Sequence, residues 1–155
     1  MHMRCTTWAF AALLATAGLG TAQATGNLAV APHASHQQEC GACHVAYPPG
    51  LLPAASWARI MARLNQHFGT DASLDENTAR DIGNWLQVHA GTDRRGQAEP
   101  PQDRITRAAW FLRQHDEVAS ATWKRASIGS AANCAACHAD AAKGDFNEHR
   151  VRIPK

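Results

Sequence analysis

The 155-residue chain has no excess of charge of either sign. Fifteen Lys and Arg face 13 Asp and Glu, a formal net charge of +2. No segment concentrates the basic residues, so a grip on a nucleic-acid backbone has no support. Long apolar runs are also missing. The longest, from Trp8 to Leu19, falls short of the ~20 residues that cross a bilayer. Aromatic residues make up 6% and there is one tyrosine, so side chains for a large core are few. No stretch alternates convincingly as a strand, which argues against a β fold and against βαβ units. Methionine is scarce: Met1, Met3 and Met61 are the only three.

What the chain does have is cysteine in a pattern. Cys40-Gly41-Ala42-Cys43-His44 and Cys134-Ala135-Ala136-Cys137-His138 use four of its five cysteines. C-x-x-C-H is the spacing of covalent c-type haem attachment. Two thiols add across the two vinyl groups, and the adjacent histidine falls under the iron as its proximal ligand. Two C-x-x-C pairs could instead close a tetrahedral zinc site. These pairs are about ninety residues apart, beyond the spacing of compact zinc ribbons, and zinc does not require a histidine after each pair. A redox dithiol belongs at a strand-to-helix turn that this sequence lacks. Two covalently bound haem c groups are therefore expected, held by Cys40, Cys43 and His44 and by Cys134, Cys137 and His138.

Residues 1–24 read as a secretory signal peptide. Arg4 supplies the positive charge, Trp8 to Leu19 the apolar stretch, and Ala22-Gln23-Ala24 the cleavage site. Cys5 lies inside this segment. Export to the periplasm suits haem attachment, which bacteria carry out outside the cytoplasm. The mature chain would have no transmembrane segment. Removing Arg4 lowers its formal charge by one, and the two propionates of each haem would make the holoprotein slightly acidic.

The remaining sequence predicts an all-α protein of two small haem-binding domains, residues 25–92 and 104–155. They are joined by a linker over 93–103, which is charged and broken by Gly96, Pro100 and Pro101. Residues 25–39 lack periodicity and read as a loop, with His33 and His36 in it. Ser56 is a candidate N-cap for a helix whose face carries Trp57, Ile60, Met61, Leu64 and Phe68, with Gly69 as its stop. Ser73-Leu74-Asp75-Glu76 resembles a capping box for a second helix over Leu74–His89. A third is predicted from Arg104 to Val118, with Phe111, His115 and Val118 aligned. Trp57, Trp85, Trp110, Trp123, Phe68 and Phe111 are the side chains expected near the haems. Each haem would staple a half too small to carry a large core.

The sixth ligand decides what each iron can do. A methionine raises the potential, a second histidine lowers it, and an open position admits gas or peroxide chemistry. Only Met61 remains outside residues 1–24, so at most one haem can have a His/Met pair. For the first haem His67 is the preferred partner of His44, with Met61 and His89 as alternatives. Met61 reads equally as core, and His67 as a histidine favoured by a helix C-terminus. For the second, His115 is the preferred partner of His138, with His149 as the alternative. A half-buried histidine beside Asp116 and Glu117 is the plainer reading of His115. Arg59, Arg63, Arg113 and Lys143 could pair with propionates, although most such charges are simply solvated.

The runs ECGACHVAYPPGLLP and WARIMARLNQHFG, then WFLRQHDEV and NCAACHADAAKGDFNEHRVRIP, resemble the small periplasmic dihaem cytochromes c over most of the chain. The resemblance implies a first domain that varies the common helical cytochrome c fold. The second would be organised by its haem, with little regular structure. It implies bis-histidine, low-potential haems and an electron-transfer role rather than an enzyme. The implied acceptor is a soluble high-spin, oxygen-binding monohaem cytochrome c. A membrane b-type cytochrome or another quinol-linked protein is the donor that fits upstream. The alternative is a peroxidase-like dihaem enzyme or a gas-binding sensor. Either needs an open iron, and an enzyme also needs a distal acid–base group.

Overall fold

The computed structural model describes residues 28, 30–92 and 98–155. The signal segment at 1–24 and residues 93–97 of the linker lie outside the described residues. Among the described residues, five α-helices are interspersed with 3-10 turns: α1 (Ala34–Gly41), α2 (Ala54–Met61), α3 (Glu76–Val88), α4 (Ala109–Gln114) and α5 (Ser120–Trp123). Among the described residues there is no strand, only a bridge between His67 and Thr70. None of these helices is long and apolar enough to cross a membrane.

The stretch read as a loop before the first motif is instead α1, and it carries Cys40. His33 caps it, its Nδ1 accepting from the His36 backbone N–H at 3.3 Å. A histidine seldom signals an N-cap in sequence, and α1 has no clear apolar stripe. Helix α2 begins earlier than Ser56. Pro53 brings φ −70°, and its carbonyl accepts from the Ser56 and Trp57 N–H groups at 3.1 and 3.2 Å. Ser56 is buried inside the helix, its hydroxyl accepting from Arg59.

Helix α2 also stops before Leu64, although the apolar spacing runs on to Phe68. Leu64–Gln66 form a 3-10 turn, and residues 67–70 reverse the chain. Phe68 and Gly69 both take positive φ, +50° and +103°, while the Thr70 N–H donates to the His67 carbonyl at 3.0 Å. Two positive-φ residues in the middle define a type I′ turn, which glycine fits at little cost. His67 therefore sits at a turn and not on a helix. Helix α3 matches its predicted span closely. Its cap is Asp75, whose carboxylate accepts from the Asn77 and Thr78 N–H groups at 3.1 and 3.0 Å.

Leu52, Trp57, Ile82 and Leu86 form the buried core between α2 and α3, with Tyr47, Ile60, Met61, Leu74, Trp85 and Ile105 packed against it. The Trp57 indole N–H donates to the Pro49 carbonyl at 2.7 Å, and the Gly91 N–H to Leu52 at 2.9 Å. The predicted third helix is broken in two places. Ala108 is extended at ψ 138°, and His115 closes α4 at φ −126°. A 3-10 turn at Ile105–Arg107 precedes the break. Beyond α5 the chain runs through short turns in which few side chains are buried, Ile128 and Ala141 among them.

Candidate functional site

The first pentapeptide leaves the end of α1. Ala42 is its C-cap, at φ −64° and ψ −29°, and the chain then bends so that His44 follows the two thiols directly. The His44 Nδ1–H donates to the Val45 carbonyl at 2.7 Å. A carbonyl can only accept, so this bond fixes the tautomer and leaves Nε2 free as a metal ligand. The turn at 67–70 brings the His67 ring to 6.1 Å from the His44 ring, with planes 27° apart.

The second pentapeptide is a 3-10 turn at Cys134–Ala136. The His138 N–H closes it on the Cys134 carbonyl at 2.8 Å, and the Arg152 N–H donates to the Cys137 carbonyl at 3.0 Å. Opposite stands His115 at the end of α4, its ring 6.2 Å from that of His138 and 76° from parallel. The His115 Nδ1–H donates to the Phe111 carbonyl at 2.9 Å, again leaving Nε2 free.

These separations can be tested against a metal. A metal–imidazole nitrogen bond is about 2.0–2.1 Å, and ~1.1 Å more reaches the ring centre, so two imidazoles that held one metal ion between them would have ring centres about 6.2–6.4 Å apart. Both histidine pairs have the gap that one iron between them requires. The buried, unpartnered indole N–H of Trp110 is a donor of the kind a haem propionate would satisfy. The residues present thus fit the group.

Cys40, Cys134 and Cys137 lack the lowered pKa of a redox dithiol. Burial pushes Cys40 and Cys134 up to about 11, and Cys137 upward as well. A reactive C-x-x-C lowers its thiol instead. Among the described residues no three His, Cys, Asp or Glu side chains come together as a metal cage, which removes the four-cysteine zinc alternative. Burial first, and then the partner imidazole, lowers both His67 and His138. The shift favours the neutral form, which is the one that ligates.

The rival ligands lie elsewhere. Met61 packs in the α2–α3 interface beside Gly83. His89 donates from Nδ1 to the Trp85 carbonyl at 2.9 Å, its ring tilted 39° against that indole at 5.3 Å. His149 is four-fifths exposed beside Glu148. Beside His67 is a cavity of about 340 Å³ lined also by Phe68, Arg63 and Arg104. The Arg104 guanidinium lies over the Phe68 ring at 4.4 Å. Arg59 is bound to Asp103 at 2.6 Å and Glu99 at 2.8 Å, and Lys143 to Asp140 at 2.9 Å, so neither is an unpaired cation.

Two residues near the site had no signal in sequence. His36, read as a loop residue, is buried on α1 against Trp85. Tyr47 stacks on His44 and reaches the second motif through its hydroxyl. Burial, and then the Cys134 thiol, push its phenol up to about 12. Its contact is 85 positions away, which no local pattern reveals.

Two thiol pairs, each followed by a histidine that faces another across the width of an iron, define a c-type cytochrome with two haems. A family model described as dihaem cytochrome c matches residues 36–146. The DHC of Rhodobacter sphaeroides is 43% identical, with a TM-score of 0.65 over 76% of this chain and 99% of that one. The diheme cytochrome type c of Shewanella baltica OS155 is 40% identical, with a TM-score of 0.70 over 81% and 95%. Among curated proteins none matches. The chain belongs to the dihaem cytochrome c family and carries two covalently bound haem c groups.

Proposed function

We propose that this chain is a periplasmic, low-potential electron carrier with bis-histidine ligation at both haems: His44 with His67, and His138 with His115. Each haem, attached through Cys40 and Cys43 or Cys134 and Cys137, supplies one iron that cycles between ferric and ferrous. The observation that carries this reading is the repeated imidazole separation, 6.1 and 6.2 Å. A histidine on each face leaves no open position for substrate, which favours a carrier over an enzyme or sensor. Hydrogen bonds from His44 and His115 to backbone carbonyls hold those rings in place through a redox change. A membrane b-type or quinol-linked protein supplies the electrons, and a soluble high-spin monohaem cytochrome c takes them in a weak, short-lived encounter. Residues 1–24 act as the export leader. Residues 25–92 and 104–155 act as one haem unit each, with 93–103 between them.

The test is low-temperature EPR of the oxidised holoprotein with near-infrared magnetic circular dichroism. Two His/His signatures are expected, and they should differ. Near-parallel rings at the first iron give a well-spread rhombic signal. Near-perpendicular rings at the second give one highly anisotropic feature. His67→Ala and His115→Ala should each turn one haem high-spin and let the reduced protein bind carbon monoxide at that haem alone. A His/Met band in the unmodified protein, or two low-spin haems in either variant, overturns the assignment.

A further inference from the structure

Phe68 is a large apolar side chain at the tip of a turn that suits a small polar one. It holds φ +50° at the first central position of the type I′ turn, which asparagine, aspartate or glycine fills most readily. A bulky residue at positive φ is an outlier, and such outliers gather at functional sites. The core does not account for it, since Phe68 is 45% exposed and stands outside the α2–α3 cluster. Its ring meets that of His67 edge-on, with centroids 4.8 Å apart. An exposed aromatic is thus in contact with the imidazole assigned to the first iron.

Around it the fold collects arginines that the sequence scatters. Arg59 and Arg63 come from α2 and the residues just after it, and Arg104 from the far side of the linker. The cavity of about 340 Å³ beside His67 is lined by these three arginines and one carboxylate, Asp103, which Arg59 binds. Arg104 covers the Phe68 ring, and the exposed Arg63 donates to the Gln66 side chain at 3.4 Å. Arg107 joins the rim by donating to Gln102 at 2.7 Å. No residue of the first pentapeptide lines this cavity, and no lysine does. An arginine fork grips a carboxylate with two parallel bonds, where a lysine offers a point charge. Arginines around an exposed aromatic are the composition of a protein contact site. A lipid surface takes up a broader apolar face than one side chain.

We propose that this basic face docks a one-electron redox protein through aspartate and glutamate side chains on the partner's surface, and that the electron leaves the first haem through His67 and Phe68. The proposal rests on the assignment of His67 as a ligand of the first iron. The partner's carboxylates take the guanidinium groups of Arg63 and Arg104, and its redox centre comes over the Phe68 ring. Ferrous iron becomes ferric, the partner's centre is reduced by one electron, no bond breaks and no proton moves.

The experiment mixes the reduced holoprotein in stopped flow with two oxidised probes, plastocyanin, which is acidic, and mitochondrial cytochrome c, which is basic. With plastocyanin the rate should fall as salt is raised. Arg63→Gln with Arg104→Gln should slow it about tenfold at low ionic strength and flatten that salt dependence. Phe68→Leu should keep the salt dependence and lower the rate at saturating plastocyanin several-fold. Neither change should slow the reaction with cytochrome c. Parent-like rates with plastocyanin in the double arginine variant, or equal slowing with both probes, overturn the proposal. So does a shift in the first haem's potential with the salt dependence intact, which assigns the arginines to that haem's own propionates. Binding of the parent to phosphatidylglycerol vesicles, lost in the double variant, overturns it in favour of a membrane surface. Hydrogen exchange needs no variant to fold. Plastocyanin should protect residues 63–70 of the unmodified holoprotein, and protection only elsewhere overturns the docking. A wrong ligand assignment shows itself separately, as a high-spin or His/Met EPR signal with no probe present.

Discussion

The two halves of this chain reach the same end, two imidazoles about 6 Å apart, with different resources. In the first half the polypeptide builds its own core. Helices of eight and 13 residues pack Leu52, Trp57, Ile82 and Leu86 together, and the histidine pair stands beside that core, outside it. In the second half the helices have six and four residues, far below the ~12–15 at which a helix begins to hold alone. The large side chains there gather on the imidazoles themselves. Phe111 stacks on His115 at 4.1 Å, Trp123 lies 5.8 Å from it, and Phe146 is 5.3 Å from His138. In one half the imidazole pair stands beside a packed core, and in the other it is itself the centre of the packing.

The largest test of that contrast is to remove each attachment in turn. Cys134→Ser with Cys137→Ser should unfold residues 104–155, since the helices there are short and the large side chains gather on the imidazoles. Cys40→Ser with Cys43→Ser should leave α2 and α3 paired. Far-UV circular dichroism and limited proteolysis with mass spectrometry distinguish these outcomes. Equal protection of the two halves after equal loss of haem would end the comparison.

A smaller effect separates packing from ligation. Leu86→Ala removes a side chain that is 1% exposed in the first core and should cost about 2–5 kcal/mol of unfolding free energy. Both EPR signals should stay where they were. Phe111→Ala should cost about 3–5 kcal/mol and should also move the signal of the His115–His138 haem, because the same ring packs the fold and steadies the ligand. Denaturant unfolding and EPR on the two variants settle whether the roles divide this way.

How much of this was legible depended on whether the cause was local. The two pentapeptides carry their chemistry in five adjacent residues. Helix α3 announced itself through its stripe and an acidic cap one or two positions from the expected start. His67 and His115 stand out in the sequence by proximity and pattern, but the apolar spacing around His67 predicts a helix face that is not there. The structure presents His67 from a type I′ turn, because Gly69 permits a reversal that the spacing of Leu64 and Phe68 conceals. The break at Ala108 has no sequence marker, since alanine favours helix and its extended backbone follows from the turn before it. Helix α1 was missed because its one inward side chain is a histidine. Tyr47 looked like turn material beside two prolines, and its partner lies in the other half.

The smallest effect concerns that inward histidine. His36 is 2% exposed, its Nδ1 has no partner, and its ring lies 4.9 Å from Trp85. His33 and His89 lie against the same indole, with His33 Nε2 on Asp81 at 3.2 Å. Burial, then His33 and His44, lower His36 from its ordinary 6.5 to about 4. The folded value is below the unfolded one, so the stabilising contribution is complete above pH 6.5. Between pH 6.5 and 4 the unfolded chain takes a proton that the folded chain refuses, and stability falls by up to about 3 kcal/mol. His36→Phe keeps a ring against Trp85 and removes the titration, so its stability should be flatter across that window. Hydrogen exchange should show α1 opening first as the unmodified holoprotein is acidified, while α4 stays protected. Acid loss as steep in His36→Phe as in the parent, or beginning in α4, would assign the acid-sensitive element to the haem-centred half instead.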